Sequence, residues 1–240
     1  MKMNLLILSI VMLFSCSSEK NLPISIDNAE CLFLYKYLAS NTVGGVPDRE
    51  GNVVNSKDCN EKWTWEQKER WNICKEQRFA YRIEFNEENL YVINMFYSST
   101  GTGEFTNLVS LEIKDGVFTL IESIAGGDRC QHGLISEEIE YKDNHIFYSE
   151  LITPFHLMSW NGRKMPFGSY DDCMICCCGA AKYKYNPISK EKEFLGIELL
   201  LDEIEGDDNF SKTYNLFLQK GKKILQEKDI IEFIKSVDNE

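Results

Sequence analysis

Between residues 90 and 160 the chain alternates strand-like runs with turn-forming residues so regularly that an antiparallel meander is the natural solution. Candidate strands lie at 91–97, 105–113, 117–124, 134–141 and 146–152. Two connections, Lys114-Asp115-Gly116 and Lys142-Asp143-Asn144, are short enough to close β-hairpins. In the second run Phe105, Val109, Leu111 and Ile113 share one parity, and Thr106, Ser110 and Glu112 share the other. Side chains alternate across a strand, so this strand has a buried face and a wetter one. The first run is apolar on both parities and belongs in the interior of the sheet.

Antiparallel strands alternate in direction, and this fixes where their connections emerge. Residues 98–104, 125–133 and 153–156 leave the sheet at one end, and both tight turns leave at the other. The first end gathers a polar rim: Thr100, Gly126, Gly127, Asp128, Arg129, His132, Thr153 and His156. Adjacent glycines turn sharply and uncover amide donors, as anion-binding concavities require. Arg129 can then clamp a carboxylate or phosphate. The same residues also suit a compact loop in which Asp128 and Arg129 bond the backbone and each other.

The chain has three histidines. His132 and His145 flank opposite ends of one predicted strand, about 25 Å apart, which argues against a three-histidine metal site. His132 and His156 can meet at the rim, where Asp128 makes a minimal third ligand. No HExxH or comparable spacing supports a metal, so neither metal nor cofactor is expected. No GxSxG singles out a serine nucleophile.

The amino terminus supplies an address. Lys2 precedes an apolar run over 5–14 that is broken only by Ser9. The run is shorter than the roughly 20 residues that span a bilayer, and it reads as an export signal. Leu13-Phe14-Ser15-Cys16 resembles the lipobox of bacterial lipoprotein precursors, with Phe14 a mild departure. The resemblance implies removal of residues 1–15, acylation of Cys16 and attachment to a membrane surface. Ser17 rather than Asp after the cysteine implies the outer membrane. An ordinary secretory signal with an unmodified cysteine fits the same leader. Residues 16–28 then form a tether with a reach of about 40 Å, and residues 29–240 one globular domain.

With Cys16 set aside, eight of the nine cysteines remain: Cys31, Cys59, Cys74, Cys130, Cys173, Cys176, Cys177 and Cys178. In an exported chain an even number reads first as disulfides. Proximity suggests Cys59 with Cys74, and Cys130 with the cluster at 173–178, which would brace the rim. Cys173 and Cys176 have CxxC spacing, which also serves redox or metal chemistry.

Elsewhere, Asp27 caps a predicted helix from Asn28, and residues 41–60 read as a loop with one short strand at Val53-Val54. Trp63, Trp65 and Trp71, spaced by charged residues, suggest a half-buried helix over 61–77. Such a cluster grips sugars or choline-like cations, or simply packs in a core. Alternation at 79–85 and at 181–185 marks two more strands, with a hairpin partner at 194–201. Asp207 and Asp208 introduce a helix ended by Gly221, and Ile230, Ile231, Phe233 and Ile234 mark a last one.

The expected fold is α+β: one mainly antiparallel meander sheet of about eight strands with helices from both chain ends, or alternatively a β-sandwich or partial barrel. The net charge of −12 argues against nucleic acid, which is bound by clustered Lys and Arg. Three function classes follow. One is a non-catalytic, lipid-anchored binding module whose rim meets a protein or an anionic small molecule. Another is an immunity or inhibitor protein against a secreted toxin. The third is a hydrolytic or metal-dependent enzyme using His132 and His156.

Overall fold

Two antiparallel sheets lie face to face, and a pair of carboxy-terminal helices covers the outer face of the second. The computed structural model describes residues 26, 53–55, 64–75, 78–98, 103–164 and 176–239. The first sheet has the order β1-β7-β6-β5-β4-β3-β2. Its strands are β1 (Val53–Asn55), β2 (Trp65–Lys68), β3 (Trp71–Cys74), β4 (Phe79–Glu87), β5 (Leu90–Ser98), β6 (Glu104–Lys114) and β7 (Val117–Asp128). The second sheet, ordered β12-β11-β10-β9-β8, contains β8 (Glu140–Lys142), β9 (His145–Ile152), β10 (Gly179–Tyr185), β11 (Lys192–Leu199) and β12 (Ile224–Leu225). Helix α1 (Pro154–Met158) follows β9, and α2 (Asn209–Gln219) and α3 (Glu227–Asn239) end the described chain.

Three apolar layers hold this arrangement. Between the sheets, Phe85, Val92, Leu108 and Ile124 meet Ile146, Tyr148 and Tyr185. The outer face of the first sheet buries Tyr81, Ile93, Met95, Val109, Leu111 and Phe118. The outer face of the second packs Ile197 and Leu199 against Tyr214, Phe217, Ile230 and Phe233 of the helices. Strand β5 is apolar on both parities because both of its faces are covered, and it sits between β4 and β6 as its sequence requires. Each fully buried side chain of this size contributes about 1.5–3 kcal/mol relative to exposure. Asp208 caps α2 by accepting from the Ser211 amide at 3.0 Å, and Gly221 follows the helix with φ 72°.

The α+β class and the antiparallel meander are as the sequence predicts; the strands divide into two sheets rather than one, in the manner of the sandwich alternative. Neither sheet closes into a barrel. The predicted helix over 61–77 is, in its described part, the hairpin β2–β3, turned at Glu69 with φ 56°. Pairing of Asn72, Ile73 and Cys74 with Tyr81, Ala80 and Phe79 overrides local helix preference. The charged residues fall on β2, an exposed edge strand, where charge discourages further pairing. The predicted strand at 134–141 is interrupted. Leu134 makes a single bridge to Glu150, Ser136–Glu138 form a 3-10 turn, and only β8 pairs as a strand.

Arg82 causes that interruption. It is 6% exposed, and its guanidinium donates to Glu84 Oε1 at 2.5 Å, Ser136 O at 2.7 Å and Ile139 O at 3.4 Å. Burial pushes the Glu84 carboxyl above its ordinary value, against the opposing pull of Arg82 and Arg70. Glu84 lies where the β4–β5 register shifts between Ile83 and Phe85.

Ile26 is 8% exposed, packs on the first sheet, and its amide donates to the Tyr81 hydroxyl at 3.1 Å. The stretch expected as a tether, 16–28, thus contains one described residue, Ile26, and that residue packs on the domain. The leader, Cys16, Thr100, Cys31, Cys59, Cys173 and the predicted helix from Asn28 lie outside the described residues. Among the described residues no helix is long and apolar enough to cross a membrane.

The hydroxyl of Tyr148 is buried between the sheets without a hydrogen-bond partner among the described residues. Tyr148→Phe removes that uncompensated group while keeping the ring. Denaturant unfolding of the variant should show a gain of about 1 kcal/mol. A loss of stability would show that the hydroxyl is satisfied in solution.

Candidate functional site

In their described parts, the three segments expected at one end of the meander converge there: Glu104 bonds Asp128, and His132 meets His156. Strand β7 runs on through Gly126 and Gly127, which pair with Asn107 and Thr106, so the loop begins only after Asp128. Asp128 and Gln131 then exchange two backbone hydrogen bonds, at 3.1 and 2.9 Å. This turn is tight enough that a Cβ on Gly127 would lie 1.9 Å from Gln131 O. Glycine there serves close backbone approach. Arg129 and His132 both adopt left-handed backbone angles, φ 45° and 63°.

Several bonds hold this loop in its strained path. The Asp128 carboxylate accepts from the Glu104 amide at 3.0 Å and from Arg129 Nε at 3.1 Å. The Leu134 amide donates to Thr106 Oγ1 at 2.6 Å, tying the loop to the first sheet. The His132 amide donates to Leu151 O, and the Leu151 amide donates to Gly133 O, tying it to the second. A disulfide from Cys130 to Cys177 fixes it to the cysteine-rich segment. This is the brace that the sequence suggested. Its sequence separation of 47 residues corresponds to about 4 kcal/mol in the loop-entropy account.

Not all eight candidate cysteines pair. Cys176 is disulfide-bonded, but Cys178 is a buried thiol. The expected Cys59–Cys74 bridge has one end, Cys59, outside the described residues. Cys74 faces the core of the first sheet, opposite Phe79 and Trp65. Cys178 is packed against the helices, where burial pushes its thiol up to about 12.

On one side of the loop is a polar cluster. The rings of His132 and His156 lie 4.3 Å apart, centroid to centroid. His132 Nδ1 is 3.1 Å from Glu150 Oε2, and Lys192 Nζ donates to Glu150 Oε1 at 3.1 Å. Lys192 also sits 4.0 Å from the centroid of the Tyr183 ring. Burial opposes ionisation of Glu150, but the His132 and Lys192 hydrogen bonds and charges outweigh it and hold the carboxyl below its ordinary value. His156 caps its own helix: its Nδ1 lies 2.9 Å from Thr153 Oγ1 and 3.4 Å from the Thr153 amide. Asp128 bonds Glu104 and Arg129, and His145 Nδ1 lies 2.7 Å from Asp143 O. Among the described residues no group of three His, Cys, Asp or Glu side chains is placed to hold a metal ion.

On the other side of the loop is a cleft of about 370 Å³. Its floor is the inward face of the first sheet: Trp71 and Ile73 from β3, Ala80 from β4, Phe96 from β5. Leu134 and Leu151 wall it, and Glu104, Thr106, Arg129, Ser136 and Glu137 line the remainder. Size and lining are those of a small-molecule pocket: mostly apolar, with a few polar groups. Of the predicted rim residues that are described, only Arg129 lines this cleft. The sequence signal for the floor was the shared parity of Trp71 and Ile73, hidden by the helical reading of that segment.

Comparison with known protein families, with curated proteins and with solved structures finds no match.

Because the folded-state value of Glu150 is lowered, its contribution to stability is present above the unfolded value and is lost as pH falls through the folded one. Glu84 slopes the other way, since its folded value is raised. Comparing the intact chain with Glu150→Gln isolates Glu150. Unfolding free energy, followed from pH 6 downward, should fall more steeply below about 4.5 in the intact chain than in the variant. Parallel curves would mean that the His132–Glu150–Lys192 contacts do not persist in solution.

Proposed function

We propose that this chain is a non-catalytic binding module of the bacterial cell envelope, held by an acyl group on Cys16, and that its cleft receives a small, largely apolar ligand. The cleft carries the reading. It is about 370 Å³, floored by two aromatic rings and three strands, and roofed by a loop fixed through a disulfide and backbone bonds to both sheets. A wall held this firmly gives a preformed pocket, and preformed pockets avoid the ordering cost of binding. The export leader and the Leu13-Phe14-Ser15-Cys16 motif support the address, and Ser17 supports the outer membrane.

Nile red, a neutral dye that brightens in apolar surroundings, serves as the probe. Its fluorescence should rise on adding the folded domain. Ala80→Phe, which fills the floor, should weaken the interaction about tenfold or more while leaving the thermal midpoint in place. Equal dye binding by the variant would remove the cleft as the site. In the native host, Cys16→Ser should abolish incorporation of an alkyne-tagged palmitate analogue; persistent incorporation would remove the anchor.

A further inference from the structure

The charges around the cleft select among apolar ligands. Two carboxylates line it, Glu104 and Glu137, and both residues are exposed. Neither enters an ion pair among the described residues. Among the described residues lining the cleft, Arg129 is the one cation, and its guanidinium is bonded through Nε to Asp128 at 3.1 Å. Arg82, stacked 5.1 Å from the Trp71 ring centroid, is committed to Glu84 and to two backbone carbonyls. Arg70 beyond it bonds the same Glu84 at 3.2 Å. Among the described residues, the cations near the cleft are thus engaged by carboxylates, while the carboxylates of the lining enter no ion pair.

We propose, building on the cleft as the binding site, that its ligand is an apolar cation: an aliphatic or aromatic body carrying an amine or quaternary ammonium group. The body lies on Ile73, Ala80, Phe96, Leu134 and Leu151. The positive group stays at the margin, facing Glu104 and Glu137, with the π-face of Phe96 as a further acceptor of positive charge. An anionic ligand of the same shape meets those two carboxylates and an arginine already held by Asp128. The net charge of −12 favours approach of the cation and disfavours the anion over distances of about a Debye length.

A matched set of probes tests this: 4-phenylbutylamine, 4-phenylbutanol and 4-phenylbutyrate, which share one apolar body and differ in head-group charge. Each is titrated calorimetrically and by displacement of Nile red at low and high salt. The amine should bind about tenfold more tightly than the carboxylate, with the alcohol between them. Added salt should narrow that ratio. In the double variant Glu104→Gln, Glu137→Gln, amine and carboxylate should come within about twofold of each other while the alcohol is unchanged. Binding of the carboxylate as tight as the amine, with the alcohol also bound, would overturn the charge assignment and leave the cleft reading intact. Failure of all three to displace Nile red from a domain that binds the dye would place the dye elsewhere and overturn both. An unaltered ratio in the folded double variant would show that these two carboxylates do not set the preference.

Discussion

One buried guanidinium joins most of this architecture. Arg82 extends from the middle of the first sheet, holds Glu84, stacks on Trp71 and donates to the carbonyls of Ser136 and Ile139. Without a partner, a charge at this depth is very costly. The chain meets the cost by folding residues 136–139 around the guanidinium. That turn ends one strand early, begins the next, and carries Leu134 and Ser136 to the edge of the cleft. A polar contact inside the sandwich thereby shapes the wall of the binding surface.

The loop at residues 129–134 separates two chemistries. Arg129, Gly133 and Leu134 line the apolar cleft, while His132 between them bonds Glu150 and meets His156. Left-handed angles at Arg129 and His132 accomplish the alternation, and the Cys130–Cys177 bond keeps the path from relaxing. Glu150 stays ionised in a buried position because Lys192 and His132 reach it from different elements.

Much of this was legible in the sequence wherever one local rule decided the outcome. Alternation placed β5, β6, β7 and β9, their short turns placed the hairpins, and strand direction placed His132 beside His156. Asp208 and Gly221 marked α2 through capping chemistry. The failures share a cause: a distant partner decided them. Residues 65–74 are strands because β4 offers an edge, and 136–138 turn because Arg82 needs acceptors. Division into two sheets follows from which faces are covered, a property of the whole chain. The cleft was hidden because its floor comes from β3, β4 and β5, whose side chains there become neighbours only once the register is set.

Cys178 sits next to a bonded neighbour, Cys177, yet keeps its thiol. Thiolate is the attacking species in disulfide exchange, and at about 12 the Cys178 thiol is almost wholly protonated at neutral pH. Its sulfur is also enclosed with Ile152, Tyr214 and Phe233. The native cross-link is therefore shielded from shuffling by the helices packed over an adjacent competitor. Correct pairing of the cysteine cluster becomes a property of the carboxy-terminal third of the chain, and loosening those helices would release a nucleophile one residue away from the bond it could exchange.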